Sequence, residues 1–126
     1  MRTADKCAFC NFDTDQPDDI IEQTELFTIV ACMFSYDVWD SYPITEHLLL
    51  VPRRHVLSIH DYTPDEQRAY MELLMKYDKN GYTTYARSHA DKTKSVPHQH
   101  THLLKLGETP VRHMYYSRKP HVLWYR

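Results

Sequence analysis

The chain has 126 residues, a single domain's length, and its 15 lysines and arginines nearly balance 17 aspartates and glutamates. A formal net charge of −2 demands no general nucleic-acid or membrane surface, and no apolar run approaches the roughly 20 residues that cross a bilayer. The two glycines, Gly81 and Gly107, leave no glycine-rich phosphate loop, which excludes nucleotide binding of the P-loop or Rossmann kind. The polar, charged start carries no signal-peptide pattern, so the expected location is cytoplasmic.

In chain order, the first marked feature is Cys7-Ala8-Phe9-Cys10, a Cys-x-x-Cys pair suited either to zinc or to redox chemistry. A redox pair of the thioredoxin kind follows a strand and opens a helix. This pair precedes the polar, turn-like stretch 11–17, which favours zinc, with an empty, reduced pair as the next reading. Residues 20–24 and 27–34 are rich in β-branched and aromatic side chains and predict strands; Cys32 within the second reads as a small core residue. Residues 34–43, with Asp37, Asp40, Ser41 and Pro43, read as a loop. The nearly continuous apolar run 47–51 predicts a central strand buried on both faces.

Thr63-Pro64-Asp65-Glu66 supplies an N-cap, a proline at the first helical position and the glutamate of a capping box. Tyr70, Met71, Leu74 and Tyr77 recur at helical spacing, and Gly81 suits the stop. Strands are expected again at 82–86 and 99–106. The sum is an α+β fold, an antiparallel sheet of about five strands with one main helix, in a single domain over 1–126 with its core at 7–106. The tail, 107–126, interleaves Arg112, Arg118, Lys119 and Arg126 with Tyr115, Tyr116, Trp124 and Tyr125. Such a tail packs on the sheet or a partner subunit, or grips a nucleotide or nucleic-acid strand. Packing is favoured, as it is for the ten tyrosines in general.

The most informative run is His98-Gln99-His100-Thr101-His102. In an extended chain the three imidazoles face one way, and buried imidazoles require hydrogen-bond or metal partners. Alternate residues on a strand lie about 6.5–7 Å apart, so the outer two are about 13 Å apart. A tetrahedral zinc ion with bonds of about 2 Å takes an adjacent pair but hardly all three. The triad therefore divides its labour between a metal or scaffold role and chemistry. A histidine-rich solvated strand is the bland alternative.

His98-Gln99-His100-Thr101-His102-Leu103-Leu104 resembles the His-x-His-x-His-apolar-apolar signature of the histidine triad (HIT) family of nucleotide hydrolases and transferases. Cys7-Ala8-Phe9-Cys10, the segment 46–55 with His47, Pro52 and His55, and Ser95 three residues before the triad support the match in order and spacing. The resemblance implies a HIT-like fold and pairing into homodimers. It implies structural zinc held by Cys7, Cys10, His55 and His98. It implies that His100 attacks the α-phosphate of a nucleotide conjugate, a dinucleoside polyphosphate or nucleoside phosphoramidate, to give a nucleotidyl-histidine. His102 and His47 would flank the phosphate and manage protons, and Ser95 would bind the phosphate or leaving group. A plain structural role for His47, opening an apolar strand, stands beside that one.

One stretch departs from the family. Where many members carry Asn, glycines and Gly-Gln, residues 86–94 here have none and instead bring Arg87, Lys92 and Lys94. Arg87 and Lys94 are candidate substrate contacts, or parts of a solvated loop. Two other functions remain open: a nucleotide-binding regulatory protein with little turnover, and a zinc-bearing module that processes adenylated DNA ends or RNA caps. Near-neutral charge makes nucleic acid the less expected partner.

Overall fold

A computed structural model describes residues 7–33, 35–92, 94 and 96–112. The strands form one antiparallel sheet: β1 (Ile20–Gln23), β2 (Phe27–Ala31), β3 (Val38–Trp39), β4 (Tyr42–Pro52), β5 (Thr83–Ala86) and β6 (Thr101–Leu106). Their spatial order is β1-β2-β4-β6-β5, with β3 paired to the start of β4. The expected α+β architecture is present, and the sixth strand is the two-residue β3.

The central strands are apolar on both faces because both faces are covered. Phe27, Ile29, Leu48, Leu50 and Leu103 point to one side, where they pack with Leu73 and Tyr77 of the helix α2 (Pro64–Lys79). The alternate residues Val30, Leu49 and Val51 point to the other side and meet Phe12 and, at the margin, Phe9. This second cover includes one helical turn, α1 (Phe12–Asp15), in the stretch read from sequence as a turn. Its aspartates and asparagine disguise it, since such residues favour turns and caps over helix interiors.

Both ends of α2 form as its sequence specifies. Thr63 Oγ1 accepts from the Glu66 backbone N–H at 3.2 Å, and Glu66 Oε1 accepts from the Thr63 N–H at 2.8 Å. Glu66 is 2% exposed and also accepts two bonds from Arg54, at 2.8 and 3.2 Å. That fork holds the Glu66 carboxyl below its ordinary pKa. At the other end Gly81 has φ 89°, a left-handed conformation that a side chain would strain. It lets Tyr82 N–H reach Tyr77 O at 3.0 Å and Tyr82 pack edge-on against the Tyr77 ring.

The 34–43 stretch is not all loop. β3 and the first residues of β4 form a hairpin closed by Asp40 and Ser41, both at positive φ (51° and 69°). Two central residues of that hand make a turn whose twist matches antiparallel strands. Asp-Ser is an uncommon pair for it, which hides the hairpin from sequence. No helix among the described residues is long and apolar enough to cross a membrane.

Glu66→Ala removes half of the capping box and leaves Arg54 without its carboxylate. Chemical denaturation should show a loss of about 1–3 kcal/mol. Because folding depresses the Glu66 pKa, this contribution is complete above the unfolded value and is lost as pH falls through the folded one. The wild-type stability should therefore converge on that of Glu66→Gln in acid.

Candidate active site

The sheet face opposite α2 carries the chemistry. On β4, His47 lies on the same side as Leu49 and Val51; on β6, His102 stands opposite Leu49; on β5, Tyr85 stands opposite His102. Sheet pairing of β6 begins at Thr101, not at residue 99 as the sequence suggests, so His98 and His100 lie on the approach to the strand. That segment is fixed elsewhere. Gln99 N–H donates to Val56 O at 2.7 Å, and Lys94 Nζ donates to Leu57 O and Gln99 Oε1 at 2.8 and 3.1 Å.

His98 is fully buried, and both ring nitrogens are committed. Its Nε2 donates to Pro52 O at 2.8 Å, since a carbonyl can only accept. Nδ1 is thereby left with its lone pair, facing Cys7 Sγ (3.5 Å), Cys10 Sγ (3.4 Å) and His55 Nδ1 (3.1 Å). Cys10 Sγ is 3.1 Å from His55 Nδ1, and all four ligand atoms lie within 4.8 Å of one another. Ligands about 2.0–2.3 Å from a tetrahedral ion are separated by about 3.3–3.8 Å, so Cys7, Cys10, His55 and His98 fit zinc. The cysteine pair forms no disulfide. Burial holds the His98 pKa down at about 4, which keeps its ring neutral and able to ligate.

His100 is oriented by the same segment. Its Nδ1–H donates to His98 O at 2.8 Å, leaving Nε2 unprotonated. Phe9, between the two cysteines, packs edge-on to His100 with ring centres 5.0 Å apart. Burial lowers the His100 pKa, partly opposed by that backbone hydrogen bond, so the neutral form prevails.

A third set of tautomers follows from a chain of hydrogen bonds. Ser35 Oγ donates to Tyr36 O at 3.0 Å, so it accepts from His47 Nδ1 at 3.0 Å. His47 Nε2 then carries a lone pair and accepts from His102 Nδ1 at 2.9 Å. His102 Nε2 is left as a lone pair, buried and without a partner among the described residues. Burial presses His47 to about 4 and His102 to about 3, with the neighbouring histidines adding to the effect. The His102 ring stacks on Tyr85 at 4.3 Å and 7°, and Tyr85 stacks on Trp39 of β3 at 4.3 Å.

These groups border a cavity of about 380 Å³. Phe9, Phe12, Val30 and Leu49 give it apolar walls; His47, His100, His102, Tyr36 and Gln16 supply polar atoms. An apolar pocket with a few convergent polar groups and perturbed titration suits a small-molecule site.

The sequence-derived candidates thus divide. His47, His100 and His102 share the cavity; Cys7, Cys10, His55 and His98 gather beside it. Arg87 and Lys94 do not line it: Arg87 bonds to Tyr36, Tyr85 and Asp91, and Lys94 braces the triad segment. Ser95 and residues 113–126 of the tail lie outside the described residues. Ser35, Tyr36, Trp39 and Tyr85 escaped sequence reading, since a lone serine or aromatic residue carries no spacing signal.

The family model described as "HIT domain" matches residues 14–109, about three quarters of the chain. The chain belongs to the HIT family. No curated protein sequence matches it at a significant level. Solved structures similar to it include a HIT family hydrolase from Clostridium thermocellum (18% identity, TM-score 0.62, covering 81% of this chain and 91% of that one). A zinc-bound histidine triad family protein from Mycobacterium smegmatis is similar at 20% identity and TM-score 0.60, covering 80% and 75%. A histidine triad nucleotide-binding protein from Candida albicans is similar at 18% and 0.57, covering 92% and 86%. At such identities these likenesses establish the HIT fold; the zinc of the mycobacterial protein is compatible with the cluster found here.

Zinc added to chelator-stripped protein should raise its stability by about 4 kcal/mol at a thousandfold excess over Kd. Calorimetric melting of wild type and Cys10→Ser checks this: the variant should lose the gain.

Proposed function

We propose that the protein transfers or hydrolyses a nucleotidyl group, with His100 as nucleophile. The observation that carries this reading is the His100 hydrogen bond to His98 O. It fixes the tautomer that leaves the Nε2 lone pair on a buried, neutral ring at the cavity wall. A nucleoside fits the apolar walls, with its phosphate toward the histidines.

In the first step His100 Nε2 attacks the α-phosphorus; an N–P bond forms, the bond to the leaving group breaks, and the leaving group keeps the bonding pair and takes a proton from solvent water. In the second, water attacks the same phosphorus and the N–P bond breaks. His102 Nε2, an open lone pair, takes the proton that water loses, and His47 shares the gained charge through its 2.9 Å bond to His102. Ser95, three residues before the triad, is assigned to the phosphate or leaving group on the family resemblance. Zinc on Cys7, Cys10, His55 and His98 would act as a structural clamp, and the chemistry stays with the histidines. Those four residues seat Phe9 against His100 and fix the His98 carbonyl that orients it.

Nucleotide binding with little turnover is the second reading. It draws on the cavity lining, which among the described residues includes no lysine or arginine to neutralise a phosphoryl group. The two readings part in one experiment. The protein is mixed with adenylated and guanylated conjugates, quenched in base and weighed intact. Covalent transfer gives a nucleoside-monophosphate adduct mapping to His100, lost in His100→Ala with the fold unchanged by circular dichroism. Tight nucleotide binding with neither adduct nor turnover across the panel establishes the second reading instead.

A further inference from the structure

Among its described lining residues the cavity is rich in acceptors and poor in donors. His100 and His102 each present an unprotonated Nε2, and both nitrogens of His47 are engaged with neighbours. An anionic phosphoryl group placed among lone pairs requires donors. Among the described lining side chains the hydroxyl and amide donors are those of Gln16 and Tyr36.

Tyr36 is the better placed. Its ring packs against both His47 (5.2 Å between centres) and His102 (5.6 Å). Its hydroxyl accepts from Tyr85 Oη–H at 2.9 Å and from Arg87 Nη2 at 3.1 Å. Arg87 Nη2 also approaches Tyr85 Oη at 3.4 Å, and the guanidinium lies near both rings, 5.5 Å and 6.0 Å from their centres. The donors therefore run in one direction, from Arg87 and Tyr85 to Tyr36. The Tyr36 proton is used in none of these bonds. A hydroxyl that accepts two hydrogen bonds, one of them charge-assisted, becomes a stronger donor through its own O–H.

We infer that Tyr36 is a further catalytic residue: its hydroxyl donates to a non-bridging oxygen of the phosphoryl group attacked by His100, and Arg87 is the positioning residue behind it. The inference rests on the nucleotidyl-transfer reading above. It gives Arg87 a part in phosphate chemistry that reaches the substrate through Tyr36. The step itself is unchanged: no proton leaves Tyr36, and the hydrogen bond strengthens as charge builds on the phosphoryl oxygens.

Rapid-quench measurement of adduct formation on His100, with a nucleoside phosphoramidate as probe, tests this in wild type, Tyr36→Phe, Arg87→Met and the double variant. Tyr36→Phe keeps the ring and its packing, so melting temperature should hold while the rate of adduct formation falls about ten- to a hundredfold, with little change in KM. Arg87→Met should lower the rate severalfold when Tyr36 is present and add nothing in the Tyr36→Phe background, a non-additivity that a merely structural role would not produce. A Tyr36→Phe rate equal to wild type overturns the assignment of Tyr36. An Arg87→Met loss of the same size in both backgrounds overturns the positioning role. Absence of any adduct in the wild type is a different failure, since it removes the nucleotidyl-transfer reading and this inference falls with it.

Discussion

His98 is the residue on which the site depends, because each of its polar groups serves a different neighbour. The ring donates to Pro52 O at the end of β4, offers its lone pair to the Cys7, Cys10 and His55 cluster, and its carbonyl receives the His100 N–H. A buried imidazole with one nitrogen unsatisfied would cost a few kcal/mol. Here the strand end, the N-terminal segment and the triad meet at His98, and this arrangement serves all three of its polar groups together. The HIT fold supplies the sheet; His98 sets where the loop before β6 lies on it.

The other histidines follow from neutrality. Four imidazoles, those of His47, His98, His100 and His102, crowd one side of the sheet, and all four are buried. Charging any one of them there costs desolvation and repels the others, so each rests neutral, and a neutral imidazole is both donor and acceptor. Backbone carbonyls then choose the tautomers: Pro52 O for His98, His98 O for His100, and Tyr36 O, through Ser35, for His47 and His102. No side-chain carboxylate is required to orient these rings.

Much of this was legible in the sequence where the signal is local. The ends of α2 were readable because a capping box and a glycine stop are made of neighbours, and they formed as written. The two-faced burial of β4 was readable because an apolar run of that length has few other homes. The Cys and His groups became legible only as a set matched to a family. What stayed hidden is non-local or unusual. β3 depends on a turn that Asp and Ser seldom make, and α1 is too short to show a period. Tyr36 precedes β3, Trp39 ends β3 and Tyr85 lies on β5, 49 residues from Tyr36. The pairing of β5 with β6 brings Tyr85 to His102, and the β3–β4 hairpin brings Trp39 and Tyr36 to them. Arg87 was noticed for its charge, but its partners were invisible until the chain was folded.

Among the described residues the N-terminal segment pairs with no strand, yet Phe9 and Phe12 wall the cavity while Cys7 and Cys10 join the four-residue cluster. The same half-dozen residues are therefore held from two sides. Ordering them for one purpose lowers the entropy left to lose for the other, and such coupling is reciprocal. A ligand filling the cavity under the proposed function would tighten the hold of the cluster on a metal ion by the factor with which that ion would tighten the hold on the ligand. Metal supply and substrate supply would then be two routes to the same ordered state.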